Sequence, residues 1–188
     1  MKFVVDCMLG KLAKWLRVLG FDALYMNRAE DRDLLLLARR EKRILLTKDH
    51  GLLQSAAGLP RLWVESDSWP EQLDQVLAAF NLREKAKPHS RCLACNVALR
   101  RVPKKSVRNL VPPFVFDQAS AFASCPACGR LFWPGTHFRD MDRTIDRILG
   151  ERKARRKTPA RAGGKGKERP GRVIRSAKIP YNEDRAEK

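Results

Sequence analysis

No stretch of this chain is apolar over the roughly 20 residues that a membrane-crossing helix needs, so a helical membrane protein is not expected. Met1 to Asp6 has no secretory-leader plan of basic, long-apolar and small-residue regions, which makes a cytoplasmic location the default expectation. Phosphate-cradling glycine loops are also missing. Neither G-x-x-x-x-G-K-[ST] nor G-x-G-x-x-G occurs, and no G-x-S-x-G elbow marks a serine hydrolase. An aspartyl-phosphate mechanism would want a second Asp two residues after the first, but Asp6 is followed by Cys7 and Met8.

Acid is scarce as well, and unevenly so. The 188 residues carry 39 basic and 21 acidic side chains, a formal charge of +18. Residues 1–88 hold 15 basic and 12 acidic, residues 89–150 hold 10 and 4, and residues 151–188 hold 14 and 5. The first segment is nearly balanced, while the rest is built to meet polyanions, of which nucleic acid is the commonest. A merely solubilising tail is the plainer alternative. From Glu151 on, the chain is Arg, Lys, Gly, Pro and Ala with almost no aromatics, the composition of a disordered basic tail.

What is present in the first 82 residues is a strict alternation of strand and helix signals. Strands are expected at Lys2–Val5, Ala23–Met26, Ile44–Leu46 and Arg61–Val64. Helices are expected at Leu9–Leu19, Asp31–Glu41, His50–Ala57 and Pro70–Phe80. Leu9, Leu12, Leu16 and Leu19 share one face of the first helix, and Gly20 ends it. Such alternation implies a parallel sheet covered by helices on both faces. Residues 83–91 read as a linker, residues 92–150 as a small unit with two cysteine pairs and a C-terminal helix at Asp140–Leu149, and residues 151–188 as the tail. Val107–Phe116 reads as a β-prone insert broken by Pro112 and Pro113.

Parallel sheets gather the loops after their strands on one edge, and ligands bind there. Three aspartates fall on that edge: Asp6 after the first strand, Asp31 before the second helix and Asp49 after the third strand. A strand order of 2-1-3-4 would set Asp6 beside Asp49. Each also precedes a helix and could serve as an N-cap, with Asp33 competing with Asp31. Two bare carboxylates about 4 Å apart repel by about 4 kcal/mol at an effective dielectric near 20. A cluster of three therefore needs protons or a cation, and Mg²⁺ or Mn²⁺ suits carboxylate ligands. Lys48 is placed to temper the repulsion or meet a phosphate, and Thr47 to bond an aspartate or orient water. Glu65 and Asp67 follow the fourth strand and are the candidates for a further acid, although Ser66, Asp67 and Ser68 also read as a plain turn. Lys11, Lys14 and Arg17 fan across the first helix away from its leucine face and suit phosphate contact, Lys11 nearest the acidic edge. Trp15 reads as packing, and Cys7 as a core thiol whose acidic neighbour would raise its pKa.

Cys92-Leu93-Ala94-Cys95 and Cys125-Pro126-Ala127-Cys128-Gly129 are the strongest local signals. Each C-x-x-C presents two thiolates from a tight turn, and two such turns complete the tetrahedral four-sulfur site of structural Zn²⁺. That site leaves no open position for catalysis. His89 is close enough to be an extra ligand. Around the pairs lie Arg100, Arg101, Lys104, Lys105, Arg108 and Arg130, with Phe132, Trp133 and His137 following the second. Cations interleaved with aromatics suit single-stranded nucleic acid, although Phe132 and Trp133 also serve as core for so small a unit.

Three blocks carry a family resemblance. V-D-x-M-L-G-K-L-A-K-W-L-R-x-L-G-F-D at Val5–Asp22, D-x-x-L-L-x-x-A at Asp31–Ala38 and I-L-L-T-K-D at Ile44–Asp49 resemble the PIN-like ribonuclease domain found at the C-terminus of the Mut-seven exonuclease. The cysteine half, C-x-x-C…C-P-x-C-G-R-x-F-W-x-G-T-H, is similar to the zinc ribbon joined to that domain. The resemblance implies a three-layer α/β/α PIN-like domain with a short parallel sheet, then a small β zinc ribbon. It implies metal-dependent RNA cleavage at Asp6, Asp31 and Asp49, leaving a 5′-phosphate and a 3′-hydroxyl, with Zn²⁺ on the four cysteines. RNA, including a ribosomal or tRNA target, is the expected partner, and a non-catalytic RNA- or ribosome-binding protein is the alternative.

Overall fold

The computed structural model describes residues 1–155; the side chains of residues 136–139 and 151–155, and the whole chain from residue 156, lie outside that description, so the expectation of a disordered tail falls mostly beyond it. Strand β1 (Lys2–Val5), helix α1 (Gly10–Val18), β2 (Asp22–Tyr25), α2 (Asp31–Arg40), β3 (Ile44–Thr47), α3 (His50–Ser55), β4 (Arg61–Trp63) and α4 (Trp69–Ala79) alternate as the pattern demands. The four strands form a parallel sheet in the order β2-β1-β3-β4. Side chains alternate across it with period two. Phe3, Val5 and Leu46 face α1 and α4, where Leu12, Leu16, Leu73 and Leu77 complete the larger core. Val4 and Leu45 face the opposite way, onto Leu34 and Ala38 of α2 and Leu52 and Ala56 of α3. Two apolar faces explain why these strands read as continuous hydrophobic runs. None of the described helices is long and apolar enough to cross a membrane.

The cysteine half is the small β unit expected, and it departs from expectation in its insert and its last helix. Strands β5 (Arg100–Val102), β6 (Phe122–Ser124) and β7 (Leu131–Phe132) form an antiparallel sheet. The insert expected to extend as β instead makes a 3₁₀ turn at Lys104–Val107 and a short helix, α5 (Pro113–Gln118). Pro112 and Pro113 decide this: proline cannot donate to a ladder but is at home in a first helical turn. Val107, Val111, Ala119 and Phe122 form a small core, with Phe116, Leu131 and Trp133 packed on it. Helix α6 (Thr136–Arg155) starts before Asp140 and continues past Gly150, because Glu151 to Ala154 are adequate helix formers and one interior glycine costs only about 1 kcal/mol.

The stretch read as a linker is tied down. The amides of Lys87 and His89 donate to Leu19 O and Val18 O, each at 2.9 Å. Gly20, at φ +86°, passes so close that a Cβ there would fall on the Lys87 carbonyl oxygen. Helix α6 returns to the first unit: Ile145 joins the larger core, Arg83 bridges Asp74 to Ile148 O, and His89 Nε2 lies 2.7 Å from Asp142 Oδ1. His89 is thereby engaged with α6 rather than with the cysteines.

Between the two halves runs a part-buried ionic network. Arg43 donates to Phe3 O at 3.0 Å, Asp22 Oδ1 at 2.6 Å and Glu41 Oε2 at 2.8 Å. Asn96 Nδ2 donates to the same Asp22 oxygen at 2.7 Å. Burial pushes the Asp22 carboxyl up, but the Arg43 and Asn96 hydrogen bonds and the Arg43 and Arg91 charges outweigh it, so its pKa lies below the ordinary value. A depressed carboxyl pKa adds stability that is complete above its unfolded value near 4 and is lost as pH falls through the folded value. Arg43→Met should therefore cost about 3–5 kcal/mol at pH 7, by stranding a part-buried charge. Urea titrations should show that difference narrowing toward pH 3 as Asp22 takes up its proton. An equal difference at both pH values would contradict this reading.

Candidate functional site

The acidic edge forms where β1 and β3 end side by side. Val5 pairs with Leu46, and the Asp6 amide continues the ladder to Leu46 O at 3.0 Å. The last residue of β3, Thr47, is fully buried, and its hydroxyl donates to Asp6 Oδ2 at 2.6 Å. Thr47 Oγ1 itself accepts from the Asp49 amide at 2.9 Å. One hydroxyl thus joins the first expected acid to the backbone of the third, which is why a buried strand ends on a polar residue here. Asp6 is only 4% exposed, and among the described residues none of the ion pairs includes it. A buried carboxylate without a cationic side chain is a chemically apt position for a divalent cation.

Asp49 is exposed and caps α3, its Oδ1 accepting from the Leu52 amide at 2.9 Å, so one of its oxygens is already engaged. Asp31 is exposed in the first turn of α2 together with Asp33, and the N-cap there is Glu30. Among the described residues, the ligand atoms of the three aspartates do not all come within 4.8 Å of one another. Lys48 points elsewhere than expected. It pairs with the fully exposed Asp67 and donates to Ser66 O at 3.2 Å, which draws the loop after β4 to this edge. A cleft of about 520 Å³ opens there, lined among others by Met8, Lys11, Asp67 and Trp69. Trp15 stacks on Trp69 at 4.7 Å, the packing role expected of it. Cys7 is exposed rather than in the core, because the chain turns out of β1 into a 3₁₀ turn; hydrogen bonding to Asp6, then burial, push its thiol pKa up.

The expected phosphate contacts divide. Lys11, Lys14, Arg100, Arg101, Lys105 and Arg130 are exposed. Arg17 is not: it is buried and donates to Ala23 O and Leu93 O, both at 2.8 Å, and to Ala94 O at 3.3 Å. Its helix face is covered by the first cysteine turn, so it joins that turn to β2 instead of meeting solvent. Lys104 reaches Ala119 O at 3.1 Å, beyond the end of α5, and lies 5.0 Å from the Phe116 ring centre, so it too is spent within the protein. Trp133 is half-buried against Phe122, which favours the core role. The side chain of His137 lies outside the described residues.

The four cysteines come together as the spacing requires. All four sulfurs lie within 4.8 Å of one another, with Cys92 Sγ and Cys128 Sγ 3.9 Å apart. A tetrahedron with Zn–S near 2.3 Å has edges of about 3.8 Å, whereas a disulfide needs about 2.05 Å, so the quartet fits zinc. Two matching turns build it: Asn96 N donates to Cys92 O and Gly129 N to Cys125 O, each at 2.9 Å. Both end in a left-handed residue, Asn96 at φ +59° and Gly129 at φ +70°. The sulfurs are unequal. Burial raises the Cys125 thiol, but the amides of Cys128 and Ala127 and neighbouring thiols outweigh this and bring it down to about 7. Hydrogen bonding to Cys128, then burial, push Cys95 up to about 12. Asn96, which the sequence reading passed over, also accepts from the Ala23 amide at 3.1 Å. The signal was available: asparagine tolerates left-handed backbone, and it occupies the place that Gly129 holds in the second pair.

A family model, described as Mut7-C RNAse domain, matches residues 1–145. No curated protein and no solved structure matches the chain.

Proposed function

The chain belongs to the Mut7-C RNAse domain family, and from that premise we propose that it is a metal-dependent endoribonuclease with Asp6, Asp31 and Asp49 as its metal-holding acids. The observation that carries this reading is the Thr47 hydroxyl bridging Asp6 Oδ2 and the Asp49 amide on the open edge of a 2-1-3-4 sheet. Bound Mg²⁺ or Mn²⁺ would lower the pKa of an attacking water and stabilise charge on a phosphoryl oxygen. The chain's own residues set the frame for it. Asp6, buried and in no ion pair among the described residues, would be the fixed ligand; Asp49, already oriented by its cap to α3, would offer its second oxygen; Asp31 would approach from the first turn of α2. Thr47 donates to Asp6 and so acts through it. Lys11 and the cleft between Met8 and Trp69 would receive the RNA backbone beside these acids. Zinc on the four cysteines would be structural.

The spread of the three aspartates favours one rival, an RNA- or ribosome-binding protein without catalysis. Incubation of zinc-loaded protein with labelled single-stranded and structured RNA, with Mn²⁺ or with no added divalent ion, separates the two. The nuclease reading expects Mn²⁺-dependent cutting that Asp49→Asn abolishes while RNA affinity persists. Intact RNA in every lane with salt-sensitive binding would establish the rival.

A further inference from the structure

Residues 85–139 hold ten cations and a single acid, Asp117. Within that field the chain displays two large apolar side chains that the fold does not use: Phe114 is 74% and Leu110 is 69% exposed. The display is built in. Pro112 and Pro113 open α5 with fixed backbone angles, and the inward positions of the helix are taken by Val115, Phe116 and the buried Ala119 that follows it. The Phe114 ring is left facing solvent on a short, stiff helix. Lys105 and Arg108 are exposed on the turn that leads to it. Arg108 lies 5.9 Å from the Phe116 ring centre, so the cationic turn and α5 sit against one another.

We propose that this tip, Phe114 with Leu110 and the cations Lys105 and Arg108, is a stacking platform for an unpaired base of single-stranded RNA. The proposal deepens the reading of the protein as one that acts on RNA. Charge selects the partner, because a field this basic repels cationic surfaces and attracts polyanions. The exposed ring selects among polyanions, since an unstacked base offers a flat face to an aromatic side chain while a duplex hides its bases. Two apolar side chains bury little area in a lipid surface, and membrane attachment scales with that area. Arg100 and Arg101, exposed on β5, add to the positive charge of the same unit.

The test is anisotropy titration of a short labelled single-stranded RNA and the matching duplex with the zinc-loaded full chain, in buffer free of Mg²⁺ and Mn²⁺ so that nothing is cut. Phe114→Ala should weaken single-strand binding about ten-fold with its salt dependence unchanged. Arg108→Ala should instead reduce the salt slope by about 0.7, the value for one phosphate on a single strand. Phe114→Trp should keep the affinity and add tryptophan emission that single-stranded RNA quenches and duplex does not. Unaltered affinity of Phe114→Ala overturns the proposal. So does an equal loss toward duplex, or a Phe114-dependent attachment to anionic phosphatidylserine vesicles with RNA binding untouched. Because no cleavage is read, failure here leaves the nuclease reading standing, and an inactive acidic edge leaves this proposal standing.

Discussion

Zinc-free protein will lose order in the parallel sheet as well as in the cysteine unit. Structural zinc supplies about 10–16 kcal/mol in zinc-finger peptides, as much as an ordinary domain's whole stability of about 5–15 kcal/mol. With zinc on the four cysteines, its removal would loosen the first cysteine turn, and that turn is fastened to β2, the edge of the sheet. Arg17 would lose its acceptors at Leu93 and Ala94, and Asn96 would release the Ala23 amide and Asp22. These four hydrogen bonds, one buried and three part-buried, at about 1 kcal/mol each come to about 4 kcal/mol outside the ribbon itself. At about 2–4 °C per kcal/mol for a chain of this size, Tm should fall by about 8–16 °C. Hydrogen exchange localises the effect: the Ala23 amide should lose protection in zinc-free or Cys92→Ser protein, whereas amides of α3, on the other face of the sheet, should lose far less. Unchanged protection at Ala23 would mean that the cysteine unit is merely an appendage.

Asp6→Asn is expected to reduce RNA cleavage by about 10³-fold or more while leaving the fold intact or slightly firmer. The amide keeps the shape of the carboxylate, and its oxygen can still accept from Thr47, so the buried contact at 2.6 Å survives. What is lost is the negative charge. If a divalent ion contributes several kcal/mol to the transition state, its weakened binding is worth about one decade per 1.36 kcal/mol. Stability should move the other way, because among the described residues no ion pair offsets the burial of the Asp6 carboxylate in the metal-free protein. This opposition of activity and Tm separates a catalytic acid from a structural one. Thr47→Val, which removes the positioning hydroxyl and keeps the volume, should cost about 10–100-fold, the range for residues that orient metal ligands. A Tm loss equal to that of a core substitution, with cleavage preserved, would assign Asp6 a purely structural role.

The sheet was legible because its evidence is local. Each strand and helix of residues 1–82 has its own period and its own stop signal, so the places of Asp6, Thr47 and Asp49 followed from order alone. The cysteine quartet was legible because the two C-x-x-C spacings fix their own turn geometry. Contacts between parts distant in sequence were hidden. Arg17 lies off the leucine stripe of α1, and a helical wheel then assigns it to solvent; the turn that covers it arrives 76 residues later. Cys7 was misplaced because a chain leaving a buried strand can turn outward within one residue. The valines and phenylalanines of 107–116 suit a strand, but the two prolines, which mark its break in the sequence, set a helix there instead. Whether three carboxylates converge is likewise a matter of rotamers and loop closure, on which strand order is silent.

The account stands most directly on where a divalent ion binds. Crystals of zinc-loaded protein soaked in Mn²⁺ and measured at the manganese absorption edge would show it. The expected map has anomalous density within ligand distance of Asp6 and Asp49 at the ends of β1 and β3, lost in Asp6→Asn, together with the separate zinc on the four cysteines. Manganese absent from that edge, with density at the cysteines alone, would contradict the metal-dependent nuclease.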